Sequence, residues 1–326
     1  MYFNICPFFR QSSIKMENLI FKFPHLPEKI LQKLENKSLF KSREVARSWQ
    51  NLINGRNYPW LFIVNIPTLQ KRNAYLHLAT ETGQIEAFKT SFNEEKDKNI
   101  KNKEGETSFH LACKNGRFKI VKLLLENACL GINNWSINLN AKTKSDQTAF
   151  ILACQKGHTD IVKLLMENAA AFRLDLNAKD ESDMTSFHHV CIQGHTDLVN
   201  IFVENAATFG IDLNTKDVEG FTGLHFACIE GHSDVVKIII KNAAKLSFDL
   251  NAKDNYGWTG LYYACFEDNL DVMKILIENA TRIDLNAKDI SSAFNILCIK
   301  GRSNLIKIFR ENTGQNVIQP KCSNPR

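Results

Sequence analysis

Three pairs of residues, Cys154 with His158, Cys191 with His195 and Cys228 with His232, share one Cys-x-x-x-His spacing. A thiolate and an imidazole at that separation are zinc ligands in many folds, and the same two groups serve as nucleophile and base in thiol hydrolases. The densest case adds His188 and His189 to Cys191 and His195. Either chemistry requires the side chains to converge on one point. A nucleophile also needs a third group that orients the base, and none recurs beside these pairs. No phosphate-binding glycine loop and no paired-carboxylate signature stands elsewhere in the chain.

The elements that carry these residues argue against convergence. Each cysteine closes a short apolar segment: TAFILAC, TSFHHVC, TGLHFAC, TGLYYAC and SAFNILC end at Cys154, Cys191, Cys228, Cys265 and Cys298. Weaker copies are TSFHLAC, ending at Cys113, and AYLHLAT, around Leu78. Before five of these segments stands NAKD or a close variant, beginning at Asn140, Asn177, Asn214, Asn251 and Asn286, in steps of 37, 37, 37 and 35 residues. After them comes a segment of the type GHTDIVKLLMEN. A unit repeated at such a period cannot bury its apolar face alone, whereas stacked copies can. The cysteines are therefore expected in the core of a first helix, and His158, His195 and His232 at the start of a second, beyond a glycine turn. His110, His188 and His225 recur at one place and are expected to bond the backbone of a neighbouring turn. No catalytic residue, metal site or cofactor is expected.

The same periodicity assigns structural roles. Thr107, Thr148, Thr185, Thr222 and Thr259 are placed to cap first helices. Gly116, Gly157, Gly194, Gly231 and Gly301 are placed at the turns within helix pairs, with Asp268 in that position in the sixth copy, which makes that turn the expected weak spot. Ile161, Val162, Leu164 and Leu165, and likewise Val235, Val236, Ile238 and Ile239, form the second helices' apolar stripe. Segments such as AAAFRLDLN, with Phe172, Leu174, Phe209, Ile211, Leu246 and Phe248 at recurring places, either prolong the second helix or bulge as a packed loop. The second copy holds an insertion with Trp135, either a binding protrusion or a tolerated loop. The last NAKD segment, NAKDISS, is a finger short of two residues.

This pattern resembles the ankyrin repeat, whose usual unit of about 33 residues is a β-turn finger followed by two antiparallel helices. The resemblance covers seven copies, 71–98, 99–139, 140–176, 177–213, 214–250, 251–285 and 286–312, with atypical end copies. It implies an all-α solenoid that binds protein on a concave face of finger tips and first helices. The outward positions it implies are Lys144, Ser145, Gln147, Gln155 and Lys156 in the third copy, all polar. In the fifth they are Val218, Glu219, Phe221, Ile229 and Glu230, and in the sixth Asn255, Tyr256, Trp258, Phe266 and Glu267. Exposed Trp and Tyr are common binding anchors. Phe221, Ile229, Glu230, Tyr256, Trp258, Phe266 and Glu267 are thus the expected protein-binding residues, with the acids favouring a basic or amphipathic partner. The alternatives are packing between adjacent fingers and self-association.

Ahead of the array, residues 16–65 read as a small helical module. Leu26, Pro27, Leu34, Leu39, Val45 and Trp49 resemble the F-box signature, with a shorter spacing between Pro27 and Leu34 than that family shows. The resemblance implies docking on the adaptor subunit of a cullin–RING ubiquitin ligase. The alternative is a helical cap that shields the first repeat. Residues 1–15 and 313–326 read as disordered ends, and Met16 is an alternative start.

Composition narrows the class further. The 326 residues are 44% hydrophobic and 23% charged, with a net charge of +6 whose basic residues are interspersed with acids. That pattern lacks a nucleic-acid footprint. No stretch reaches the apolar length of a membrane span, and the first fifteen residues lack the order of a secretory signal. Cysteines recurring among Ala, Val and Leu read as buried thiols of a reducing compartment. The expectation is an intracellular monomer, cytoplasmic with the nucleus as an open alternative, with a protein target and no nucleic acid or membrane partner.

Overall fold

The computed structural model describes residues 69–95, 97–130, 137–279, 283, 287–303, 306, 307 and 310. The chain divides into two units, Met1–Arg72 and Asn73–Arg326. The second carries the array. Leu26, Pro27, Leu34, Leu39, Val45 and Trp49, the lead-in 1–15, Trp135 and the tail 313–326 lie outside the described residues.

The array is a succession of helix pairs. They are α1 (Leu69–Thr82) with α2 (Ile85–Glu94), α3 (Ser108–Lys114) with α4 (Phe118–Leu130), and α5 (Ala149–Gln155) with α6 (Thr159–Glu167) and the one-turn α7 (Ala169–Phe172). Then come α8 (Ser186–Gln193) with α9 (Thr196–Phe209), α10 (Gly223–Ile229) with α11 (Ser233–Leu246), α12 (Gly260–Phe266) with α13 (Leu270–Glu278), and finally α14 (Ala287–Ile299). The first helices pack in the order α3, α5, α8, α10, α12, α14, and the second helices in the order α4, α6, α9, α11, α13. No strand forms among the described residues.

The column of first helices is close-packed because its contact positions are small. Cys113, Cys154, Cys191, Cys228 and Cys265 are fully buried, as are Ala112, Ala153, Ala227 and Ala264. A Cβ added at Gly223 would lie 2.9 Å from Cys191 Sγ, and one at Gly260 would lie 2.9 Å from Cys228 Sγ. Thiol and missing side chain thus face each other across successive repeats, where a larger residue would force the helices apart. Burial raises all five thiol pKa values, that of Cys265 to about 12.

Each finger is a turn closed by its own Asx or Thr residue. In the sixth repeat Asp254 N–H donates to Trp258 O (3.0 Å), and Asp254 Oδ1 accepts from Tyr256 N (2.9 Å) and Trp258 N (2.8 Å). Asn102, Thr143, Asp180 and Asp217 hold the earlier fingers in the same way. Single backbone bonds link finger to finger: Lys144 N to Glu104 O, Glu181 N to Ser145 O, Val218 N to Ser182 O and Asn255 N to Glu219 O. The expected last finger does not form among the described residues. Residues 287–292 begin α14 instead, because this segment has neither a Gly or Asp in the left-handed region, as at Gly257 (φ 83°) and Asp183 (φ 59°), nor a capping Thr. Helical bonding therefore runs straight through it.

One choice left open by the sequence is resolved. The extra residues of the regular units prolong the second helix, continuously in α9 and α11 and with a break at Asn168 between α6 and α7. These extensions stop at Arg173, Gly210 and Ser247, all in the left-handed region. Of the apolar residues there, Ile211 is buried and Phe248 reaches the Phe187 ring at 6.1 Å between centroids, while Phe172, Leu174, Phe209 and Leu246 are half-buried.

Candidate protein-binding face

The Cys–His pairs do not converge on a common point. The thiols sit in the column, whereas each histidine reaches back to the preceding repeat. His158 Nε2 donates to Lys114 O at 3.0 Å, His195 Nε2 to Gln155 O at 3.3 Å and His232 Nε2 to Ile192 O at 2.9 Å. A carbonyl only accepts, so Nε2 carries the proton. Chemically different residues do the same work elsewhere. Arg117 donates to Glu81 O, Asn269 to Cys228 O and Ile229 O, and Arg302 pairs with the Asp268 carboxylate. That pair draws the Asp268 pKa below its ordinary value. Asp268 itself takes φ 67° in the glycine position, as anticipated. Among the described residues no three His, Cys, Asp or Glu side chains are grouped to hold a metal ion.

A second set of histidines reaches forward. Thr185 N donates to His188 Nδ1 at 2.9 Å, and His188 Nε2 donates to Thr215 O at 2.9 Å. His110 bonds Thr107 N and Ala141 O, and His225 bonds Thr222 N and Trp258 O. Burial lowers the pKa of all three, that of His188 to about 4. In the sixth repeat Tyr262 takes this slot. It has no ring nitrogen to return a bond, and Thr259, expected to cap α12, forms no side-chain cap bond. The Tyr262 ring instead lies against Trp258, at 3.8 Å between centroids and 16° between planes.

That contact belongs to a larger aromatic surface. Tyr262 also stacks towards Phe266, 6.2 Å away at 11°, so Trp258, Tyr262 and Phe266 form one column of near-parallel rings. Tyr263 stands edge-on to Tyr262 and to Phe221, and Phe221 touches Phe226 at 5.5 Å. Tyr263 OH donates to Asp254 Oδ2 at 2.5 Å, which ties the ring to the carboxylate that closes the finger. Burial, with this bond second, raises the Tyr263 pKa. His189 makes the equivalent bond two fingers earlier, to Asp180 Oδ2 at 2.8 Å. Burial alone would raise the Asp180 pKa, but the bonds from His189, Ser182 N and Met184 N outweigh it and bring it down.

Of the residues singled out in the sequence, Tyr256 is 68% exposed and Phe266 52% exposed, and Glu230 and Glu267 are also exposed. Phe221, Ile229 and Trp258 are half-buried, with Trp258 and Phe221 packed into the aromatic cluster. Tyr256 OH donates to Glu219 Oε2 at 3.3 Å across adjacent fingers. Phe226, Tyr262 and Tyr263 belong to the surface and were missed. The signal was present in TGLYYAC, where a Tyr pair stands in place of the His-Leu and His-His of other copies. The face changes character along the array. The residue before the capping Thr runs Glu106, Gln147, Met184, Phe221, Trp258, and the residue after the core Cys runs Lys114, Gln155, Ile192, Ile229, Phe266, Ile299.

Comparison with known families bears on this arrangement. A family model described as ankyrin repeats (3 copies) matches three overlapping stretches, residues 76–180, 130–217 and 187–289. Comparison with curated proteins gives no match.

Proposed function

The chain belongs to the ankyrin-repeat family, a non-catalytic scaffold for protein–protein interaction, and we propose that its target docks on the aromatic half of the array, from the fourth repeat onward. The observation that carries this reading is the column in which half-buried Trp258 and Tyr262 lead to exposed Phe266, on the repeat that also exposes Tyr256. The apolar atoms of Tyr256 and Phe266 contribute little to the fold, and well-placed aromatic rings supply much of the free energy of protein interfaces. The test uses the full chain with Tyr256→Ser and Phe266→Ser together. Loss of a bound partner at unchanged thermal unfolding supports the face, and unchanged partner recovery overturns it.

A second reading adds a role in ubiquitin ligation. Leu26, Pro27, Leu34, Leu39, Val45 and Trp49 resemble an F-box, so residues 16–65 would engage a cullin–RING adaptor while the array holds the substrate. The favouring observation is the spacing of Leu34, Leu39, Val45 and Trp49 in the sequence. Under this reading an adaptor and a cullin co-purify with the full chain and are lost on removal of 16–65. Under the plain scaffold reading neither is recovered, and the deletion lowers the stability of the array.

A further inference from the structure

Building on the aromatic face proposed above, we infer that the docking segment delivers an arginine side chain onto the Trp258–Tyr262–Phe266 column. The first observation is ring geometry. Three near-parallel rings, inclined by 16° and 11° to their neighbours, cover one another's inner faces, so a planar cation stacks on the face at an end of the column. The second is charge. Glu230 and Glu267 are the C-cap residues of α10 and α12, two helices that pack side by side. A helix C-terminus already carries partial negative charge, so an acid there works against the fold. The equivalent residue is Asn115, Lys156 or Gln193 in the second, third and fourth repeats. Both carboxylates are exposed, and neither pairs with a cation among the described residues. Acids thus stand where helix stability disfavours them, at the ends of two adjoining helices, one of which carries Tyr262 and Phe266.

The third observation is a cation already drawn to the column. Lys300 Nζ lies 5.5 Å from the Phe266 ring centroid and donates to Phe266 O. The outermost ring therefore carries an ammonium supplied by the next repeat. Guanidinium suits the rest of the site better than ammonium. It stacks flat on an aromatic ring while its edge N–H groups fork onto a carboxylate, and a lysine does only one of these at a time.

The test is a selection of displayed random twelve-residue peptides on the full chain, with affinities of the recovered peptides measured by fluorescence anisotropy. Recovered peptides are expected to share an arginine next to an apolar residue. Changing that arginine to citrulline should weaken binding at least tenfold, and to lysine several-fold. Glu230→Gln with Glu267→Gln should weaken it about tenfold and flatten its salt dependence, with a thermal unfolding midpoint equal to or above that of the wild type. Peptides that bind without a basic residue, yet are lost with Tyr256→Ser and Phe266→Ser, overturn the arginine and leave the face standing. Peptides indifferent to all four substitutions overturn both, and equal affinity for lysine and arginine overturns the stacking argument.

Discussion

His232 lies across Gly194 of the preceding repeat. A Cβ at residue 194 would stand 2.5 Å from the imidazole Nδ1, while Nε2 donates to Ile192 O at 2.9 Å. Gly194 also takes φ 67°, so its missing side chain serves both the turn and the neighbour. Gly194→Ala is expected to cost about 1–2 kcal/mol for the left-handed backbone alone, with the clash added. His232→Ala should cost roughly 1–3 kcal/mol, since it leaves a half-buried carbonyl without its bond. His232→Asn should lie near wild type, because Asn269 already fills this role opposite Gly231. Urea unfolding of the three variants checks the order.

The forward-reaching histidines make the fold sensitive to acid. Burial lowers the pKa of His110, His188 and His225, that of His188 to about 4, against an ordinary value near 6.5. Between those values the unfolded chain binds more protons than the folded one, so stability falls as pH falls. It should be intact above about pH 7 and drop from about pH 6.5 towards pH 4. Unfolding midpoints across that window, with His188→Gln as a variant whose loss is shallower, test the assignment.

The cysteine column offers a readout of local opening. Buried, protonated thiols do not react, so Cys113, Cys154, Cys191, Cys228 and Cys265 should resist alkylation in the native protein, whereas half-exposed Cys298 reacts. The sixth repeat has an Asp in the left-handed turn and no side-chain cap on α12. In mild urea Cys265 is therefore expected to be labelled before Cys154, as resolved by mass spectrometry. The reverse order would remove the sixth repeat as the weak point.

The NAKD motif sets a further prediction. Asn177 Nδ2 donates to Gly210 O at 2.8 Å and Oδ1 accepts from Asp212 N at 3.0 Å, so the residue clamps the end of its own repeat. Lys142 Nζ donates to Lys179 O at 2.9 Å and Lys216 Nζ to Lys253 O at 2.7 Å, running from one finger base to the next. Asn177→Ala should cost about 1–2 kcal/mol, because two bonds go at once. Lys142→Ala should cost less, since only one bond goes and a long flexible side chain is released from it. Chemical denaturation separates the two.

Much of this architecture is readable in the sequence because period carries it. Thr caps, glycine turns and the Cys column recur at the spacing that the fold imposes. What stayed hidden are bonds between residues 36 to 44 positions apart that differ in chemistry from copy to copy, such as Arg117, His158 and Asn269 in one role. The last NAKD misled for a related reason, since its letters match while the glycine and the threonine that make a finger are gone. At the face, Tyr256 and Phe266 were legible as departures from the repeat. Tyr262 and Tyr263 were not, because they sit in a segment that reads as core in the other copies.

Function placed where the copies differ is the central claim, and paired variants in the full chain test it most directly. Partner recovery is quantified by mass spectrometry for Tyr256→Ser with Phe266→Ser, and for Lys144→Ser with Lys156→Ser at the polar third repeat. Loss of the partner in the first pair only, with thermal unfolding unchanged in both, is the result expected. Loss in the second pair only, or in neither, would contradict the account.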